Sequence, residues 1–327
     1  MELPFETVER EVLIKKSSET NPDYGFDPNY LVIEELINYG IINLNKPAGP
    51  TSHQCSAYVQ KILHIKKSGH SGTLDPNVTG LLPTALGRAT RIVQTLLKAG
   101  KEYIAVMHLH KPIPGGKIKS VLKQFTGKIK QLPPIISAVK RQLREKEIYY
   151  LEMLEMNNQD VLLRIGCEAG TYARKLIHDI GQKLGCGAHM AELRRTKVAC
   201  FNEKTNLVTL HDLADAHHYW KNENNETQLR YCIQPIENAV KHLPKVWVLD
   251  TTVNALSHGI DLAIPGISKL HSGIKKDDLV AVFTLKNELV SLGTAKLSSQ
   301  EIIDNEKGIA FKIKKVFMSK DVYPRMK

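Results

Sequence analysis

Near Leu243 the patterning of the chain changes, and that change limits how it can be divided into folding units. Downstream come KVWVLD, LAIPGI, DLVAVFTL, LVSLGTAKL and GIAFKIKKVFM, apolar runs with turn signals between them. Each is short for a helix and rich in β-branched residues, so the segment predicts a small β-barrel or sandwich. Upstream the periods alternate. IINLN reads as a buried strand, KPAGP as a turn, and Ser52 as the N-cap of a helix whose inner face holds Cys55, Val59, Ile62 and Leu63. ATRIVQTLLKAG predicts a helix closed by Gly100, and KEYIAVMHLH a strand. Ile118, Val121, Leu122 and Phe125 recur at i, i+3, i+4 and i+7, a further helix. EIYYLEMLEM and VLLRIGCE flank the turn NNQD as a hairpin. Thr171 is placed to cap a helix with Leu176, Ile177, Ile180 and Leu184 inward and Gly185 as its stop. The expected fold class is α/β (α+β): a turn-rich N-terminal segment over residues 1–36, a mixed-sheet domain over 37–242 and an all-β module over 243–327.

Composition excludes several function classes. Hydrophobic residues make up 42% of the chain, but no apolar run reaches the ~18 residues of a bilayer span. MELPFETVEREVLIKK carries acids and no apolar block, unlike a secretory signal, so a cytoplasmic location is expected. The five cysteines are scattered without a C-x-x-C pair and read as free thiols. His108 and His110 would share one strand face, but no third ligand stands near them in sequence, so no metal site is expected. Neither H-E-x-x-H nor a P-loop is present, and no cofactor is called for. The net charge of +11 favours a polyanionic partner.

One acid interrupts that basic character. Between Glu35 and Glu102 the only carboxylate is Asp75, accompanied by eight cations: Lys46, Lys61, Lys66, Lys67, Arg88, Arg91, Lys98 and Lys101. It lies in GHSGTLDPNVTG, where Asp-Pro-Asn predicts a turn with Asp at the first corner, and Gly72 and Gly80 allow close backbone approach. Alone, such a turn reads as structural. Amid cations, it also suits a nucleophile placed beside a nucleotide's phosphates. Glycosidic hydrolysis usually takes two carboxylates, whereas one suits a bond that is broken and remade without water; a second acid could still arrive from elsewhere in the fold.

GHSGTLDPNVTGLLPTALGRATR resembles the catalytic motif of the pseudouridine synthase family that includes the bacterial tRNA uridine-55 enzyme and dyskerin. NKPAGPTSH, KEYIAVMHLH, QLPPIISAVKRQLREKEIYY and GCEAGTYARKLIHDIGQKLGCGAHMAELRRT resemble its other motifs, so the likeness spans about Gly40 to Thr196. The segment with GIDLAIPGI and LVSLGTAKL resembles the PUA domain, a small RNA-binding β-barrel. The resemblance implies that Asp75 attacks ribose C1′ or promotes a glycal, that Tyr103 stacks on the flipped base, and that Arg174 pairs with the aspartate. It implies that His70 orders the flipped nucleotide and that Leu176 and Leu193 line the base pocket, Leu176 standing where bacterial members carry isoleucine. It further places Lys140, Arg141, Arg144 and Lys146 on a basic loop that grips substrate RNA.

Ile136 and the ending VYPRMK, with no long Lys-rich tail, resemble the archaeal RNA-guided branch. That branch implies an H/ACA guide RNA, rRNA or tRNA substrates, and three small partners: a zinc-ribbon protein, a β-barrel protein and a kink-turn binder. It also implies that the N-terminal segment packs on the PUA module. Two other functions stay open from the residues: an idle RNA scaffold, and base-exchange transglycosylation, which would call for a Cys-rich zinc site not seen in this sequence.

Overall fold

The computed structural model describes residues 1–133 and 142–325. Two compact units result: Met1–Thr7, Ile42–Thr84 and Val93–Cys232 form the first; Val8–Ile41, Ala85–Ile92 and Ile233–Lys327 form the second. The N-terminal segment therefore divides. Met1–Thr7 joins the first unit, where Glu6 pairs with Lys197 at 2.9 Å. Val8–Ile41 belongs to the second and supplies β1 (Val12–Ile14) and α1 (Ile33–Tyr39).

The first unit runs through β2 (Gly40–Lys46) from Ile42 on, α2 (Ser52–Leu63), β3 (Ser68–His70), β4 (Thr79–Leu86) up to Thr84, α3 (Val93–Lys98) and β5 (Lys101–Leu109). It continues with α4 (Gly115–Gln124), β6 (Gly127–Gln131), β7 (Arg144–Asn157), β8 (Asp160–Cys167), α5 (Ala173–Leu184), β9 (Ala188–Val198), β10 (Phe201–Asn202) and β11 (Leu207–Val208). The main path of its mixed sheet is β11-β2-β4-β9-β5-β8-β7-β6. Strand β5 is central, antiparallel to both β8 and β9, and sets Tyr103 opposite Ile165 on one side and Arg195 on the other. Leu176, Ile177, Ile180 and Leu184 of α5 bury against this sheet as their spacing predicts.

Three local expectations are corrected. Thr51, not Ser52, caps α2: its hydroxyl accepts from the Gln54 amide while the Gln54 side chain returns to the Thr51 amide. This reciprocal box satisfies two helix-end donors and releases the Ser52 hydroxyl for Leu74. Thr171 does not cap α5 either; its hydroxyl donates to the Glu168 carbonyl, and α5 begins after Tyr172. Gly100 is not a left-handed stop. A Cβ there would lie 3.1 Å from the Tyr149 ring, so close packing is what favours glycine. Gly185 does adopt the left-handed conformation predicted for it, at φ 77°.

After α6 (Leu210–Glu223) and α7 (Thr227–Cys232), the second unit continues with β12 (Gln234–Pro235), β13 (Lys245–Val248), α8 (Asp250–Ser257), β14 (Leu262–Ala263) and β15 (Ile267–His271). Then come β16 (Leu279–Phe283), β17 (Leu289–Ala295), α9 (Ser299–Asp304) and β18 (Ile309–Val316). Seven strands order as β1-β15-β13-β16-β17-β18-β14, with β1 added antiparallel along β15. Two short helices, α8 and α9, accompany the β-segments read from the sequence. The α9 start carries a Ser298–Glu301 capping box, worth about 1 kcal/mol.

Candidate active site

The loop between β3 and β4 makes the turn that Asp-Pro dictates, closed by the Val78 amide on the Asp75 carbonyl at 3.0 Å. Its backbone is clamped on both flanks. Upstream, the Ser52 hydroxyl accepts from the Leu74 amide at 2.8 Å. Downstream, the Lys46 ammonium, 0% exposed, donates to the carbonyls of Pro47, Pro76 and Val78 at 2.8–2.9 Å. The Gly49 amide adds a fourth tie, to Pro76, at 3.0 Å. Burial lowers the Lys46 pKa, the cost that these carbonyls offset.

From this fixed turn the Asp75 side chain projects to the surface. Arg174, the second residue of α5, donates Nη2 to its Oδ2 at 2.5 Å; the two side chains are 65% and 54% exposed respectively. Glu102, the next acid in sequence, is no second partner for that site. It is buried, with one carboxylate oxygen taken by the Tyr150 hydroxyl at 2.6 Å and the other by Thr196 at 2.7 Å.

Tyr103 shares a sheet face with Ala105, Leu193 and Arg195, since the register pairs Tyr103 with Arg195 and Ala105 with Leu193. Its ring and Leu193 pack on the apolar cluster that includes Leu176. The phenol hydrogen-bonds to Arg195, and burial raises its pKa. Arg195 is 1% exposed and also donates Nε to the Leu81 carbonyl at 2.7 Å and Nη2 to the Gly72 carbonyl at 3.1 Å. One guanidinium thus ties the Asp75 loop, strand β4 and Tyr103 together. His70, at the end of β3, sits with Nε2 3.2 Å from Nδ1 of His53. Burial first, then the neighbouring His53, pushes its pKa down to about 4, so its ring is neutral at neutral pH.

The structure therefore brings Asp75 and Arg174 into contact and sets Tyr103, Leu176 and Leu193 on one cluster. Lys140 and Arg141 lie outside the described residues. Arg144 opens strand β7 opposite Gln131, and no hydrogen bond or ion pair among the described residues joins it to Asp75, Tyr103 or Arg174. Lys146 is a correction: it is a strand residue, not a loop cation, and its ammonium is held by Glu168 at 3.0 Å and the Ala169 carbonyl at 2.7 Å. Two of the eight cations around Asp75 are likewise internal. Lys101 donates to the carbonyls of Leu96, Leu97 and Ala99, and burial lowers its pKa to about 7. His108 pairs with Asp160 at 2.7 Å, and His110 with His189 at 3.1 Å. Sequence reasoning missed the roles of Lys46, Ser52 and Arg195; the only signals were a lysine in the NKP motif and a doublet of arginines.

Comparison with known proteins meets the same residues. The TruB family pseudouridylate synthase N-terminal domain matches residues 60–115 and 110–173, and the tRNA pseudouridylate synthase B C-terminal domain matches 174–241. A PUA domain matches 244–317 and a DKCLD (NUC011) domain 2–56. The probable tRNA pseudouridine synthase B of Pyrococcus furiosus is 57% identical over 98% of this chain and 94% of its own. That of Thermococcus gammatolerans is 58% identical over 98% and 96%. Among solved structures, a chain of a Cbf5-Nop10-Gar1 complex superposes with a TM-score of 0.95 at 57% identity, covering 99% of this chain and 98% of that one. A chain of an H/ACA RNP bound to a substrate RNA containing 2′-deoxyuridine gives 0.93 at 54% identity, with 99% of each covered. An Asp-Pro turn clamped from both sides, an arginine on its carboxylate and a tyrosine on the neighbouring strand thus stand in a chain that belongs to the TruB family of pseudouridine synthases, of the dyskerin type and with a C-terminal PUA domain.

Proposed function

We propose that the chain isomerises uridines selected by an H/ACA guide RNA, with Asp75 as the nucleophile. The clamped, exposed Asp75 carboxylate on Arg174 carries this reading. A target uridine must leave its stack to be reached. Tyr103 then offers the flipped base a ring, with Leu176 and Leu193 as apolar neighbours. Asp75 attacks ribose C1′, or promotes a glycal, as the C1′–N1 bond breaks. Uracil turns and C5 bonds to C1′ as the bond from C1′ to the Asp75 oxygen breaks, or as the glycal takes back its C2′ proton; the proton on C5 then leaves and N1 gains one, so composition is unchanged. Arg174 holds the carboxylate in place until RNA arrives. His70, neutral, helps order the nucleotide, and Lys140, Arg141 and Arg144 grip the RNA strand.

The likeness to chains solved in a Cbf5-Nop10-Gar1 complex and in an H/ACA RNP supports the same kind of assembly here. It would consist of guide RNA, a zinc-ribbon protein, a β-barrel protein and a kink-turn binder, acting in the cytoplasm, with the PUA module on the lower stem and ACA end of the guide. A second reading, direct action on tRNA uridine-55, is favoured by the description of the archaeal relatives as probable tRNA pseudouridine synthases. Pseudouridine mapping on a guided RNA and on tRNA, with and without guide and partners, separates the two. Asp75→Asn should lose activity by several orders of magnitude on either substrate; full activity in that variant would end the nucleophile assignment.

A further inference from the structure

The second unit encloses a cavity of about 220 Å3 that isomerisation does not use. Phe26, Leu31 and Phe317 contribute apolar wall, and Tyr39, Glu237 and Glu288 line it with polar groups. Glu288 is 3% exposed. Its Oε2 accepts from the Tyr323 hydroxyl at 2.7 Å and the Thr284 hydroxyl at 3.0 Å, and the Phe26 amide also bonds to this carboxylate, while among the described residues Oε1 has no partner. Glu237 accepts the Leu289 amide on Oε1 at 2.9 Å. The Tyr39 hydroxyl is cut off from solvent and likewise has no partner among the described residues.

Buried polar groups left unbonded are costly, so two on one small cavity call for something that bonds to both. The nearby cations do not do so. Arg88 lies over the Tyr39 ring at 5.1 Å and donates to the Ser319 hydroxyl at 2.9 Å. Lys286 donates to the carbonyls of Pro22 and Tyr24. Burial accordingly raises the pKa of Glu288, and that of Glu237 to about 7. What is missing is a compact donor with positive charge.

We propose that this cavity binds the protonated end of a short alkyl amine, such as the aminopropyl arm of a polyamine. An ammonium has three donors and no acceptor. Glu288 Oε1, the Glu237 carboxylate and the Tyr39 oxygen are three acceptors for them. Aromatic faces suit both the cation and the methylenes behind it. The volume equals about seven waters at roughly 30 Å3 each and falls below the ~300 Å3 at which drug-sized pockets begin, which excludes a nucleotide. A bare divalent ion such as Mg2+ wants about six oxygens, more than this partly apolar wall supplies. Because the chain carries a net charge of +11, diffuse attraction gives cations no reason to collect on it, and saturable uptake reports a built site.

Calorimetric titration of the full chain with spermidine and with putrescine, and with Mg2+ alongside, tests this. Saturable binding of one amine per chain is expected, unaffected by equimolar Mg2+. Tyr39→Phe should weaken it about tenfold, the loss of one hydrogen bond to a charged group, and Glu288→Gln by at least as much. Tyr39→Phe removes only an unpartnered hydroxyl, so its melting temperature stays at or above that of the wild type and any lost affinity is not lost folding. No saturable amine binding, displacement by equimolar Mg2+, or wild-type affinity in either variant overturns the proposal.

Discussion

Gly80→Ala tests how tightly the Asp75 loop is bound to the sheet. Gly80 pairs with Arg195 where β4 meets β9 in parallel, at φ +102°. A Cβ there would lie 2.2 Å from the Arg195 carbonyl oxygen and 2.8 Å from its nitrogen, both backbone atoms that no rotamer change can clear. The strands must part by roughly 1 Å to restore van der Waals contact. Overpacking of this kind costs about 1–3 kcal/mol, and a positive φ adds about 1–2 kcal/mol for an L-residue; less the ~0.4–1 kcal/mol that alanine removes from the unfolded chain's entropy, about 1–4.5 kcal/mol is expected in total. Gly49 provides the control, with a similar φ of +106° and nothing among the described residues within 4 Å of an added Cβ. Gly49→Ala should cost only the torsional part, about 1–2 kcal/mol, reduced by the ~0.4–1 kcal/mol that alanine removes from the unfolded chain's entropy. Urea unfolding read by circular dichroism measures the difference. Activity adds a second readout. Arg195 also holds the Gly72 carbonyl and the Tyr103 hydroxyl, so moving it misplaces both sides of the site. A shift near 1 Å can cost on the order of 100-fold in turnover. Equal destabilisation of the two variants, or a Gly80→Ala enzyme with wild-type turnover below its melting transition, would refute this account of the clash and its consequence.

Arg174→Ala should separate function from stability: an exposed ion pair contributes about 0–1 kcal/mol, so the urea midpoint should barely move while pseudouridine formation falls steeply; a large loss of stability would show the pair to be structural. His70 predicts a pH effect. Its pKa in the fold is depressed to about 4 from 6.5, so the unfolded chain binds the proton more readily between those values. The stability it contributes is therefore present above about pH 6.5 and lost as pH falls towards 4. His70→Gln should flatten that part of the stability curve, and an unchanged slope would count against a buried neutral ring.

What the sequence disclosed follows from how local each feature is. Asp-Pro restricts its own backbone, so the turn could be read from two residues, and the α5 face from its period alone. The capping box was also there to be read, in Thr51-Ser-His-Gln54, but two adjacent hydroxyls compete for one cap and only the contact with Leu74 decides between them. The arginine doublet shows the limit. Adjacent strand residues point to opposite faces; Arg194 reaches Glu203 at 2.6 Å on the exposed side, while Arg195 is buried on bonds to segments more than 100 residues away. Nothing local says which of the two turns inward. Lys46 and Lys101 were hidden for a similar reason, because lysine is seldom fully buried and a run of cations reads as surface charge.

That misreading bears on mechanism. Counted along the chain, the cations near Asp75 look like one positive field, but in the fold they divide by task. Lys46 and Arg195 are buried and spend their donors on carbonyls of the loop and its strand, with Arg195 also taking the Tyr103 phenol. Those bonds are sheltered from solvent, and removing either cation would leave buried acceptors unpaired. Arg174 is different: its partner is the Asp75 carboxylate itself, and both side chains are more than half exposed, so their pairing is cheap to exchange. The mechanism we propose, in which a carboxylate is held still and then released to a sugar carbon, needs this asymmetry. The backbone beneath Asp75 is fixed by cations that cannot leave, and its side chain is held by one that can.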